Sequence, residues 1–245
     1  MVTTSDASTG IGYTSWRVDL TPYVVPGGHN QLTIRLDNPP DSARWYPGGG
    51  LYRNVWLTKT GPLRVAQWGT QLSTPQVSAE RAQVQLAVQL DNAGAAPVQA
   101  QVSTALYALD DASGLRRGPA VAQIAAVQVQ VAAGGNARVQ GSTQIEAPRR
   151  WGPPPTQQPH RYVAVTEVSQ GGRVVDRVET PFGVRSVVFD PDKGLVINGE
   201  HVPIRGVNNH HDLGALGAAF NVRAAERQLQ LLQHMGANAI RMSHN

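Results

Sequence analysis

Apolar and polar residues alternate with a period of two from Tyr13 to about Thr180. The runs "WRVDL" (16–20), "QLTIRLD" (31–37) and "NVWLTK" (54–59) alternate or nearly so. "AQVQLAVQLD" (82–91), "VQAQVSTALYALD" (98–110), "AAVQVQVAA" (125–133) and "YVAVTEV" (162–168) continue the pattern. Successive side chains on a strand point to opposite faces, so each run predicts a strand with one buried face. Glycine-rich breaks separate them: "PGGHN" at 26–30, "DNAGAAP" at 91–97, "AAGGNA" at 132–137 and "SQGGR" at 169–173. Short strands joined by such turns predict antiparallel β-sandwiches.

A boundary is expected near Gly61-Pro62. Before it lies a block rich in Trp, Tyr and Gly; after it comes an Ala/Gln/Val-rich block of the size of one immunoglobulin-like sandwich. The segment "APRRWGPPPTQQPH" (147–160) has the composition of a linker, but "YVAVTEV" resumes the strand pattern directly after it. A rigid loop inside the second block is the better reading.

The period changes after Phe189. "FDPDKGLVINGEHVPIRGVNNHHD" reads as strand, Asn-Gly turn, strand. Then Ala225, Leu229, Leu232 and Met235 recur at helical spacing, with Asn221 as N-cap and Gly236 as the stop. "NAIRMS" (238–243) reads as another strand. Strand, helix, strand is a βαβ unit, which needs a parallel sheet. A single unit cannot cover both faces of such a sheet, so a truncated last domain is expected.

Composition narrows the function classes. The 245 residues are 41% hydrophobic and 16% charged, which supports a folded core. The net charge is +4, yet the arginines are mostly isolated, with adjacent pairs only at 116–117 and 149–150. A nucleic-acid partner would favour a basic stripe, so none is expected. Cysteine is absent, which excludes disulfides and thiolate metal sites. No apolar run approaches the ~20 residues of a membrane span, so no membrane partner is expected. The first residues show no charged segment followed by an apolar one, and localisation stays open.

Two clusters carry candidate chemistry. Asn208, Asn209, His210, His211 and Asp212 follow one predicted parallel strand; Ser243, His244 and Asn245 follow the next. In a (β/α)₈ barrel that end of the strands builds the active site. Imidazole and amide groups there could hold sugar hydroxyls or steady a developing charge. A solvated or cap-forming loop is the plainer alternative. A metal site is the sharper one, but adjacent histidines rarely aim at one ion and no His-x-x-x-His accompanies them. The second cluster, "SARWYPGGGLYRNVWL" (42–57), sets Arg44, Trp45 and Tyr46 before a glycine corner. Trp45 could stack on a sugar and Arg44 bond its hydroxyls, or the aromatics could simply be buried under the turn.

These stretches resemble glycoside hydrolase family 2, and within it the bacterial β-galactosidases. "GYTSWRVDLTPYVVPGGHNQLTIRLDN" with "SARWYPGGGLYRNVWL" is similar to the later part of the family's sugar-binding jelly-roll. Residues 62–184 resemble its immunoglobulin-like domain. The segment from "GLVINGEHVPIRGVNNHH" to "RMSHN" resembles the entry to its TIM barrel, with two histidine loops in order around one helix. The implied fold is mainly β: part of a jelly-roll sandwich over 1–61, an immunoglobulin-like β-sandwich over 62–184, and the first βαβ unit of a truncated TIM barrel over 185–245.

The resemblance implies hydrolysis of terminal β-galactosides with retention. Two glutamates about 5 Å apart would serve as acid/base and nucleophile. Glu80, Glu146, Glu167, Glu179, Glu200 and Glu226 match neither position, so this chain alone is expected to be inactive. It further implies that His210 and His244 contact the sugar, that Asn208 and Asn209 flank the first contact, and that His211 is structural. Arg44 stands where relatives carry an acidic residue that meets sugar or sodium. No cofactor is expected here, and a structural sodium or magnesium belongs to the full enzyme. The implied partners are galactose or a β-galactoside, the missing catalytic half, or a second copy. A non-catalytic carbohydrate-binding module and one half of a split enzyme remain alternatives, as do β-glucuronidase and β-mannosidase specificities.

Overall fold

The computed structural model describes residues 15–37, 50–210 and 213–242. The chain divides into two units, Met1–Leu51 and Tyr52–Asn245, and the division falls ahead of Gly61-Pro62.

Within the first unit, the glycine turn forms where expected. Asn30 closes it: its side chain accepts from the Val25 N–H at 2.9 Å and donates to the carbonyls of Val25 and Gly28 at 3.0 and 3.1 Å. The strands expected at 16–20 and 31–37 do not form, and neither does the one at 54–59 in the second unit. Alternation only nominates a face. A strand exists when a neighbour takes its N–H and C=O groups and a second layer covers its apolar side. Neither condition is met among the described residues: Trp16, Leu32, Leu36, Val55, Trp56 and Leu57 are all exposed.

The second unit opens with a sandwich. Strands β1 (Leu63–Val77), β2 (Arg81–Asn92) and β5 (Asn136–Glu146) form a sheet in the order β1-β2-β5. Strands β3 (Val98–Leu109), β4 (Arg116–Val131), β6 (Tyr162–Gln170) and β7 (Arg173–Phe182) form the other, in the order β4-β3-β6-β7. Every pairing is antiparallel. The alternation now has its physical outcome. Ala82, Val84, Leu86, Val88 and Leu90 of β2 are buried, and face Ala100, Val102 and Leu106 of β3 across the layer. Strand β6 is buried on both sides, because Val163 and Val165 pack with Leu109 on the outer face. Gly171 and Gly172, both at positive φ (56° and 78°), make the tight β6–β7 turn.

Among the buried polar side chains of the sandwich, the Thr104–Thr166 pair and Asn92 are partnered, whereas the Thr70 hydroxyl on β1 is buried without a partner among the described residues. The Thr104 and Thr166 hydroxyls, opposite each other on β3 and β6, lie 2.9 Å apart. Asn92 ties two turns together, donating to the Ala96, Val131 and Ala132 carbonyls and accepting from Gly94 N–H. The Pro-rich segment belongs to this domain, as the sequence pattern favoured. The Trp151 N–H donates to the Val184 carbonyl at 2.8 Å, and the Arg149 N–H to the Tyr162 hydroxyl at 2.8 Å. Asp111 Oδ2 holds Arg149 Nη2 and His160 Nδ1, each at 2.8 Å.

Beyond the sandwich, β8 (Val187–Asp190), β9 (Gly194–Ile197) and β10 (Glu200–His201) form a small antiparallel sheet. Asn198 and Gly199, with φ of 54° and 84°, make the expected Asn-Gly turn. Then β11 (Gly206–Asn209), helix α1 (Val222–His234) and β12 (Ala239–Met242) complete a βαβ unit, with β11 and β12 parallel.

Candidate functional site

The candidate site grows from how α1 starts and stops. Asn221 is extended, and its side chain accepts from the Ala224 N–H at 3.1 Å, satisfying one of the free donors of the first turn. At the other end Gly236 takes φ 88°. The Gly236 N–H then reaches the Gln233 carbonyl at 2.9 Å, and the Ala237 N–H the Leu232 carbonyl at 3.0 Å. These two bonds form the Schellman arrangement, which caps the helix and turns the chain back.

Asn238 converts that reversal into register. Its N–H donates to the Arg205 carbonyl at 3.0 Å, its Oδ1 accepts from the Arg205 N–H at 2.8 Å, and its Nδ2 donates to the Pro203 carbonyl at 2.9 Å. The start of β12 is thereby fixed beside the start of β11. The ladder follows as Gly206↔Ala239, Val207↔Ile240, Asn208↔Arg241 and Asn209↔Met242.

That register sorts the polar residues by face. Val207 and Asn209 are half-buried, and Asn209 Nδ2 lies 3.4 Å from Gln228 Oε1 on α1. Residues two apart share a face, so this is the helix side. Asn208 and His210 alternate to the opposite side, with Arg241 opposite Asn208, and all three are exposed. The sequence places the whole polar run after the strand; in the structure Asn208 and Asn209 are its last two residues. His210 is the first residue beyond it. His211, His244, Arg44 and Trp45 lie outside the described residues. Arg241 was not singled out by sequence because it reads as the body of a strand. Its pairing with Asn208 is the feature that brings it in, and a period-two count from Ile240 would have put it on this face.

Four of the described glutamates are engaged elsewhere. Glu200 accepts from Gln157, Glu226 pairs with Arg223 within α1, and Glu167 and Glu179 share Arg177 on the sandwich. Among the described residues, no three of His, Asp and Glu gather as a metal site would require. A shallow cavity of about 570 Å³ lies on the outer face of the sandwich, bordered by Tyr107, Arg116, Val165 and Glu167, and β11 and β12 do not line it. Asn208, His210 and Arg241 are all exposed on their face of the β11–β12 pair.

Comparison with known proteins places this architecture. The family model described as "Glycosyl hydrolases family 2" matches residues 69–185, and that described as "Glycosyl hydrolases family 2, TIM barrel domain" matches residues 190–245. The chain is 40% identical over 235 residues to a β-galactosidase, BoGH2A, of Bacteroides ovatus, covering 96% of this chain and 26% of that protein. It is 30% identical over 247 residues to a β-glucuronidase of Bacteroides fragilis, covering 95% of this chain and 33% of that protein. A solved glycosyl hydrolase family 2 member from Bacteroides cellulosilyticus superposes with a TM-score of 0.67 at 30% identity, over 76% of this chain and 24% of its own. The chain thus spans about a quarter to a third of the length of these curated relatives.

Proposed function

Since the chain belongs to glycosyl hydrolases family 2, we propose that it contributes the sugar-contact side of a glycosidase that hydrolyses terminal β-galactosides. One observation carries the reading: Asn209 faces α1 through Gln228, so Asn208, His210 and Arg241 lie on the other side of the parallel β11–β12 pair, at the C-terminal ends of the strands. That is the catalytic end of a (β/α)₈ barrel. The roles follow from the side chains. His210 and Asn208 donate and accept hydrogen bonds, which suits sugar hydroxyls. Arg241 adds a fixed positive charge that favours negative charge building on the leaving side. His244, two residues past β12 in sequence, is proposed as a further sugar contact on its chemistry alone. Trp45 and Arg44 are proposed as sugar contacts on their chemistry alone, a ring face and a guanidinium.

Galactose is favoured over glucuronate by the greater likeness to the β-galactosidase, 40% against 30%. The two sugars differ at one carbon, a hydroxymethyl against a carboxylate, so the test is direct. A polypeptide joining this chain to a complete barrel should cleave a chromogenic β-galactoside well above the β-glucuronide. His210→Ala should lower its kcat/KM about 10²-fold, the size of losing one donor to developing charge. The reverse preference would overturn the galactoside assignment. The chain alone should not turn over, because no described glutamate pair stands at the rim; turnover well above blank would refute this.

The exposed apolar face of α1, with Leu229 and Met235 at 51% and 76% exposure, favours a partner that completes the barrel. The rest of the barrel fits that face, whether in the same polypeptide or supplied separately. Co-expression with such a partner should yield a complex; failure to associate would count against it.

A further inference from the structure

Asn198 sits in the β9–β10 turn, where φ of 54° suits Asn or Gly. Its side chain does more than tolerate the turn. Oδ1 accepts from the Ser186 N–H at 3.1 Å, and Nδ2 donates to the Trp151 carbonyl and to Gln157 Oε1, both at 2.8 Å. Gln157 answers with its own amide, donating to the Ile197 carbonyl at 3.0 Å and to Glu200 Oε2 at 3.1 Å. Both donors of each amide are used, and each amide oxygen accepts. A half-buried network so fully satisfied holds its members in one geometry.

The anchor behind it is equally constrained. Trp151 is bonded to the Val184 carbonyl, and the Arg185 guanidinium lies 4.5 Å over its ring. A Cβ on Gly183 would meet Trp151 Cβ at 2.8 Å, and one on Gly152 would meet Gln157 Oε1 at 1.9 Å. The network therefore needs glycine at both places. On its far side, the Val202 N–H bonds the Leu195 carbonyl at 2.8 Å, and Asn238 then grips Pro203 and Arg205. Contacts run without a gap from the Pro-rich loop of the sandwich, through Asn198, to the strands that carry Asn208 and Arg241 and lead into His210.

We propose that Asn198, with Gln157, is a positioning residue that locks the barrel entry onto the sandwich and so sets where the sugar-contact rim stands. Neither residue touches sugar. The proposal rests on the glycosidase reading, and its effect is geometric: displacement of a contact group by about 1 Å is enough to lower a rate about 10²-fold. The lock also gives the sandwich a part in the reaction without a sandwich residue entering the active site.

Two arms test it separately. In the 245-residue chain, Asn198→Gly keeps the left-handed turn and deletes the three side-chain bonds. Amide exchange should rise about tenfold or more across 194–210 while β2, β3 and β6 stay unchanged, a local opening rather than unfolding. Unchanged exchange at 194–210 overturns the lock whatever the enzyme does. In the complete enzyme, Asn198→Gly and Gln157→Ala should each lower kcat about tenfold with the sandwich's melting midpoint unmoved, and the double variant should be no worse than either single. Additive losses, or kcat within twofold of wild type in both singles, also overturn it. A complete enzyme that is inactive as wild type removes the glycosidase reading, and the exchange arm then decides the lock. If Asn198→Gly misfolds, Gln157→Ala is read in both arms.

Discussion

The sandwich and the βαβ unit differ in what their local signals achieve. In the sandwich, β2 alternates and every second residue from Ala82 to Leu90 is buried. In the βαβ unit, α1 has an N-cap hydrogen bond, a Schellman stop and an apolar stripe, yet none of its residues is buried. Hydrogen bonds satisfy both regions; only one has a second layer. Caps and turns determine that an element forms, while burial, at about 1.5–3 kcal/mol per large apolar side chain, determines what holds it in place. The sandwich is accordingly the stable body, and the βαβ unit is held mainly by its local hydrogen bonds.

The largest expected effect separates the two by truncation. Leu106→Ala, in a fully buried site between the sheets, should destabilise the sandwich by about 2–5 kcal/mol in a denaturant titration. Leu229→Ala, half exposed on α1, should change the same transition by less than about 0.5 kcal/mol. Equal effects would mean that α1 is covered in solution and would break the contrast. Of middle size is the helix cap. Asn221→Ala removes an acceptor for the Ala224 N–H and should cost about 1 kcal/mol locally, read as faster exchange over 222–234 with β2 and β3 unaffected. Protection that is uniform across 200–242 and the sandwich would sink the idea of two stability levels.

The smallest effect is set by pH. Burial acts to raise the Asp111 pKa, but the hydrogen bond and charge of His160 and the Arg149 guanidinium outweigh it and hold the carboxyl below its ordinary range. A depressed folded pKa means the contribution is present above the unfolded value and is lost as pH falls through the folded one. Below about pH 4 the grip on the Pro-rich loop should weaken. Trp151 fluorescence should then shift in wild type at acid pH, and Asp111→Asn should abolish that acid step. An identical acid shift in the variant would assign it elsewhere.

Several elements could be read from the chain because they depend on neighbours in sequence. The strands at 82–91, 98–110 and 162–168, the Asn198-Gly199 turn, and α1 with Asn221 and Gly236 at its ends all appear where the pattern puts them. Other features depend on partners far along the chain. The strands expected at 16–20, 31–37 and 54–59 have the same alternation and do not form, because alternation cannot say whether a neighbouring strand is there to pair with. At the candidate site the sequence singled out Asn208, Asn209 and His210 as one cluster. The fold separates them, since a strand sends successive side chains to opposite faces and α1 claims the side of Asn209.

By itself, then, the sequence determined a β-rich chain and a βαβ unit near residue 240, since periodicity and capping are local. Tertiary structure alone decided which groups sew the Pro-rich loop to the sandwich, Trp151 to Val184 and Arg149 to Tyr162, and that Arg241 stands opposite Asn208. It alone also decided that Asn198 joins Trp151, Gln157 and Ser186. Those relations connect residues distant along the chain, and only the folded backbone brings their hydrogen-bonding groups within 3 Å or so of one another.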